Sequence, residues 1–237
     1  MMETIRNDRA LSDQVQVVSV GTFGKAVAGY LAKLCSNVEQ LDWTGTASLD
    51  RNAWSAPKVR ILAAWRPVPE LCSFLDGLSH QNAHPFIPVI IDSAALCVGP
   101  VIVPAAKSGC WQCWQLRSQQ HTKDRQERRA LLQFYETNPS VGPAGYLESF
   151  ALIGAAQVAS AIQSADHLRQ AAGKIWQIDI FTRAVSVGYL IGVDGCSRCG
   201  MDRPLQDRSW ADIRHKLAFM WSDSLQDTKS DTDEPGQ

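Results

Sequence analysis

What the chain lacks narrows its class before any motif is read. No uninterrupted apolar run approaches the roughly 18 residues that a membrane-spanning helix requires, so such a helix is not expected. Neither charge sign is in excess. The 237 residues hold 23 Lys and Arg against 24 Asp and Glu, a net charge of −1, which argues against a generally basic nucleic-acid binder. Charged residues are few, 20% beside 45% hydrophobic, and this balance is not that of a disordered chain. No internal repeat is visible, and the first ten residues are polar with both charge signs, unlike a secretory leader. The expectation is a soluble, cytoplasmic, globular protein with neither nucleic acid nor membrane as a partner. Its length suits one sizeable domain or two small ones.

Cysteine is the residue present in an informative pattern. Of seven, Cys35, Cys72 and Cys97 stand alone in apolar surroundings and read as small buried hydrophobes. They lack the nearby basic cluster that stabilises a catalytic thiolate. The other four form two Cys-x-x-Cys pairs, Cys110 with Cys113 and Cys196 with Cys199. Two intervening residues let both sulfurs of a pair converge on one ion, and a divalent ion neutralises the thiolate charge. Two pairs fill all four tetrahedral positions, leaving none for water, so the pattern predicts one structural zinc rather than a catalytic one. A thioredoxin-like redox pair or disulfides are the competing readings. The odd total, the lack of a leader and the duplication of the motif stand against them.

Along the chain, residues 14–20 read as a buried β-branched strand, followed by Gly21 and Gly24 and a helix over 25–34. Strand, glycine turn and helix open a Rossmann-type unit. A second strand near 38–41 ends at Asp42, about 20 residues after the first glycine, where a ribose-binding carboxylate commonly lies. Phe23 stands where the fingerprint needs its second glycine and is expected to obstruct phosphates. Further strands are predicted over 59–65, 86–91 (ending at Asp92) and 98–104, the prolines of the last suggesting an edge or a sharp turn, with a helix over 69–78. Residues 115–136 carry Arg117, Lys123, Arg125, Arg128 and Arg129 and read as a solvated helix or crossover, or as a basic partner-contacting face. A helix over 147–162, apolar on most faces, is expected to be buried. Residues 175–180 and 184–191 read as an antiparallel hairpin delivering the second cysteine pair. Residues 222–237 hold five acidic residues and one lysine and read as a disordered tail.

From 14 to about 200 the order of parts resembles the ThiF/MoeB-type fold of ubiquitin-activating-like adenylating enzymes. Within it, the chain resembles the ThiF-like cyclodehydratase partner subunits of thiazole- and oxazole-modified microcin biosynthesis. The specific stretch is Gly99-Pro100 through Pro104 to Gly109-Cys110-Trp111-Gln112-Cys113 and Arg117, with Gly195 to Gly200 around the second pair. The resemblance implies an α/β Rossmann-like sheet with a zinc-stapled C-terminal hairpin, as one domain over 14–221 after a flexible 1–13. It implies a noncatalytic subunit that holds a ribosomally made precursor peptide. That subunit activates a YcaO-type protein, which uses ATP for heterocyclisation of Cys, Ser or Thr, and a flavin dehydrogenase then oxidises azolines. A homodimer through the 147–162 helix is a further expectation. The first strand begins near residue 14, so the winged-helix-like peptide-recognition module of many such proteins is not expected ahead of it. The alternative is a true adenylating enzyme acting on a peptide or carrier-protein carboxylate. Gly21, Gly24 and Asp42 would then form its nucleotide site, with Arg51, nine residues after Asp42, as arginine finger and Asp92 at Mg²⁺. With the glycine loop degenerate, ATP is not expected as a cofactor, and no catalytic residue is assigned.

Overall fold

The computed structural model describes residues 14–45, 54, 57–121, 124–143 and 145–200. Arg51, the segment 1–13 and the acidic segment 222–237 lie outside them. Seven strands form one sheet: β1 (Val15–Val20), β2 (Val38–Trp43), β3 (Val59–Ala64), β4 (Phe86–Asp92), β5 (Ala95–Val98), β6 (Lys174–Asp179) and β7 (Val185–Tyr189). Their order is β2-β1-β3-β4-β5-β6-β7. The first four are mutually parallel, and β5, β6 and β7 add on antiparallel. β1 and β3 are buried along their whole length. That is why they read as nearly continuous Val, Ile, Leu and Ala: a parallel strand covered on both faces has no polar side to alternate with.

Helix α1 (Gly21–Leu34) and helix α5 (Glu148–Ala161) cover one face. α1 buries Phe23, Gly24, Val27, Ala28 and Leu31, a helical stripe. Gly24 is where α1 meets the sheet, since a Cβ there would lie 2.4 Å from the carbonyl oxygen of Ala63. The other face is covered by α2 (Pro69–Asn82) and the start of α3 (Trp111–His121). Helix α4 (Arg125–Thr137) follows α3, and α6 (Ala165–Gln170) leads into β6. Among the described residues no helix is long and apolar enough to cross a membrane.

Several expectations need correction. The glycine turn is itself the first turn of α1, which starts at Gly21. Of the strand expected over 98–104, Val98 alone belongs to a strand; Ile102 makes an isolated bridge to Phe86, and 104–106 form a 3₁₀ turn. Pro100 and Pro104 have no N–H to give a ladder, and the 3₁₀ turn takes the chain away at Pro104. The basic stretch 115–136 is parts of two helices, broken before Arg125. α5 is not buried all round: Phe150, Ala151, Gly154, Ala155, Val158 and Ala161 face inward, while Leu152 remains 47% exposed.

One polar network runs through the α2 face. The guanidinium of Arg60, wholly buried, donates from Nε to Gln16 Oε1 at 2.7 Å and from Nη1 to His84 Nε2 at 3.0 Å, and lies over the Trp54 ring. Burial draws the Arg60 pKa down to about 10, partly offset by Glu39, so it stays charged at neutral pH. Burial and then the Arg60 charge hold His84 neutral, with its pKa down from 6.5 to about 4. Between these values the unfolded chain takes up a proton that the folded chain refuses. The stability from neutral His84 is therefore complete above pH 6.5 and is lost as pH falls towards 4. Urea unfolding across that range should show His84→Gln losing stability less steeply than the native chain; parallel profiles would refute the assignment.

Candidate metal centre and strand-end cavity

The loop after β5 and the start of α3 deliver the first cysteine pair. The Ser108 hydroxyl accepts the Val103 N–H at 2.8 Å and closes the turn before Cys110. Trp111 and the partly buried Trp114, three apart on α3, pack into the α2-side core. Cys110 and Cys113, on the same three-residue spacing, gather with Ile175, Leu190 and Cys196 in a separate buried cluster. The second pair arrives on the loop after β7, which Arg117 anchors by donating from Nε to the Ile191 carbonyl at 2.7 Å. Gly200 closes that knuckle. A Cβ there would lie 2.6 Å from the Cys196 backbone nitrogen.

The four sulfurs lie within 4.8 Å of one another. Cys110 Sγ is 3.7 Å from Cys113 Sγ and 3.6 Å from Cys196 Sγ, and Cys113 Sγ is 3.4 Å from Cys199 Sγ. A disulfide would need about 2.0 Å, and all four cysteines are free. Thiolates around a tetrahedral zinc, each about 2.3 Å from it, stand about 3.8 Å apart. The arrangement therefore fits a metal ion bound by four sulfurs, with no ligand position left for water. Hydrogen bonds from Cys110 and then Cys199, aided by the Val193 N–H at 3.2 Å, pull the Cys113 thiol well below its ordinary range. Hydrogen bonds with Cys113 and then Cys199, with burial, push the Cys110 thiol up.

A second anchor was not visible in the motif. Arg198, between the two cysteines of the second pair, donates from Nη1 to Asp76 Oδ2 at 2.5 Å and to the Ser73 carbonyl at 3.2 Å. Asp76 is on α2 and fully buried; His80 Nδ1 lies 3.3 Å from its other oxygen. Burial opposes protonation of His80, but its hydrogen bonds to Asp76 prevail and raise its pKa. The sequence signal was a carboxylate on the buried stripe of α2, beside Leu71, Cys72, Leu75 and Leu78.

The carboxyl ends of β1, β2 and β3 open into a cavity of about 470 Å³, walled also by the starts of α1 and α2 and the end of α4. Open α/β sheets bind ligands at this place, and the size suits a small molecule. Gly21 and Asp42 line it, whereas Gly24 is spent on helix–strand packing. Asp42 pairs with Lys25 at 2.9 Å, and hydrogen bonds from Lys25 and then Gln40 hold its carboxyl below the ordinary range. Phe23 does not obstruct the loop: it is buried edge-on against Tyr146 in the α1–α5 core. Trp65 is the obstacle instead. A Cβ on Gly21 (φ +71°) would lie 2.6 Å from Trp65 Cδ1, so the indole covers the glycine. Glu136, whose pKa is raised by burial and then by neighbouring Glu70, joins Glu70 in the wall, two further carboxyls. Lys25 and Arg66 line the same cavity, so its wall carries both charge signs.

Asp92 stands apart from this cavity. Its oxygens receive both terminal nitrogens of Arg128, and it lines a separate cavity of about 80 Å³ with Cys97 and Trp114. Burial and then the Asp92 charge push the Cys97 thiol up to about 12, and burial likewise raises Cys35 and Cys72. Arg51 lies outside the described residues.

No protein-family model matches the chain, and no curated protein matches it. Solved structures do. The chain is similar to a heterocyclase in complex with substrate and cofactor, at 19% identity and a TM-score of 0.57, over 84% of this chain and 27% of the other. It is similar to the heterocyclase TruD at 19% identity and TM-score 0.55, over 80% and 28%. It is similar to MccB of E. coli with ATP at 16% identity and TM-score 0.55, over 80% and 67%. The chain thus spans little more than a quarter of the two heterocyclases. At these identities the likeness is one of fold: the chain has the fold that these structures share over the matched part, in keeping with the α/β sheet expected from the motifs.

Removing Arg198 strands a buried carboxylate. Arg198→Met should cost about 3 kcal/mol of unfolding free energy, and Asp76→Leu combined with Arg198→Met should recover much of it. Urea titrations in which the single variant matches the native chain would refute the anchor.

Proposed function

We propose that the chain is a ThiF-like, noncatalytic subunit of a ribosomal-peptide-modifying complex. In this reading it presents a precursor peptide to a YcaO-type ATP-dependent heterocyclase in the cytoplasm and activates that partner, and a flavin dehydrogenase acts afterwards. The observation that carries the reading is a nucleotide-enzyme sheet whose strand-end cavity has Trp65 against Gly21 and Lys25 on Asp42. The fold likeness to heterocyclases supports it. Zinc at Cys110, Cys113, Cys196 and Cys199 has a structural role, tying the end of the sheet to α3. A second copy would pack on the exposed stripe of α5 that carries Leu152; a monomeric mass in light scattering would remove that part.

Copurification from a cell expressing the chain with candidate partners is the direct test. A YcaO-type protein and a small Cys- and Ser-rich precursor should be retained, and azoline formation should fall at least tenfold without this chain. Unchanged azoline formation would refute the reading. Metal analysis should give one zinc per chain, lost in Cys110→Ser and in Cys199→Ser.

A second reading, an adenylating enzyme for a peptide or carrier-protein carboxylate, is supported by the size and position of the cavity. It would use Gly21, Gly24, Asp42, Arg51 and Asp92 around ATP. ATP–pyrophosphate exchange abolished by Asp42→Ala and Arg51→Ala would favour it over the first.

A further inference from the structure

Helix α4 is an unusual element of this fold, because none of its residues is buried. It is held from one side, by Arg128 on Asp92 and by Tyr135, whose carbonyl accepts from Arg66 Nη2 at 3.0 Å. Beside α4 runs a groove of about 600 Å³ lined by Arg125, Arg128, Arg129, Gln119 and Gln133, with Glu136 as the one carboxylate among the described residues. Arg125 and Arg129 are exposed. Arg125 donates to the Gln120 carbonyl at 3.1 Å and has no carboxylate partner among the described residues. A nearly neutral chain has concentrated like charge along one concave surface.

The compensating charge is in the same chain. Residues 222–237 hold Asp223, Asp227, Asp231, Asp233 and Glu234 against the single Lys229. We propose that the α4 groove is a docking site for acidic peptide, and that the chain's own segment 222–237 occupies it until an acidic partner displaces it. Reach is ample. The described chain ends at Gly200 in the cysteine knuckle, and α3 leads from that knuckle to α4 over 11 residues, about 16 Å of helix. The connecting stretch 201–221 can extend to about 70 Å. Exposed ion pairs are individually weak, but a tethered ligand acts at an effective concentration on the order of millimolar. Weak pairing in cis therefore suffices to fill the groove, and salt should empty it. This inference stands independently of the heterocyclase reading.

The test uses the full chain and a variant with Asp223→Asn, Asp227→Asn, Asp231→Asn, Asp233→Asn and Glu234→Gln. Hydrogen exchange over 125–137 at low salt should be several-fold faster in the neutralised variant, and the difference should vanish at high salt. A labelled synthetic peptide of residues 222–237 should bind the neutralised variant about tenfold tighter than the native chain. Arg125→Ser with Arg129→Ser on that background should abolish binding, and the double Lys replacement should retain part of it. Equal exchange in the two chains, or equal peptide affinity, would overturn occupancy in cis. Binding that persists without Arg125 and Arg129 would overturn the groove.

Discussion

Four sulfurs drawn from two segments 86 positions apart converge to within 4.8 Å, and much of the molecule's far end depends on that convergence. Two full thiolate charges 3.6 Å apart would repel by about 4–5 kcal/mol at an effective dielectric of 20. The cluster must therefore keep protons or take up a cation, and a divalent ion relieves every pairwise repulsion at once. With an ion in place, the start of α3, the loop after β7 and the sheet edge between them are fixed to one point. Closing so long a loop also removes much freedom from the unfolded chain. Arg198 extends the constraint to α2 through buried Asp76. The knuckle thereby touches both the antiparallel end of the sheet and the helix layer over its parallel half.

The parallel half keeps the outline of a nucleotide site while its contents have changed. The first turn of α1 still opens on the strand-end cavity, and Gly24 still allows α1 to approach β3. Trp65 lies against Gly21 and Lys25 pairs with Asp42 at the mouth of that cavity. Packing against Ala63 holds the glycine at 24, whereas the glycine at 21 is under an indole.

How much of this was legible follows from the range of each signal. β1, β3 and β4 could be read because burial on both faces leaves short apolar runs, and α1 because its buried stripe has helical spacing. The metal cluster could be read because ligand spacing within each pair is local. Trp65 over Gly21 could not, since it arises from the neighbouring register of β1 and β3. The partner of Asp76 lies 122 positions away, beyond the range of any local spacing. β5 has only four residues, too short for periodicity, and in the run after Gly99 the prolines pointed to an edge or a turn while the apolar content pointed to strand; the turn at 104–106 is what forms. Phe23 was placed at the right position of the loop but with the wrong orientation, because a helix beginning at Gly21 turns it towards Tyr146.

X-ray absorption at the zinc edge of the full chain, purified without added metal, tests the central claim most directly. The account predicts one zinc per chain surrounded by four sulfur scatterers at about 2.3 Å with no nitrogen or oxygen in the shell. A shell containing nitrogen or oxygen, or a folded chain free of metal with its cysteines oxidised in pairs, would contradict it.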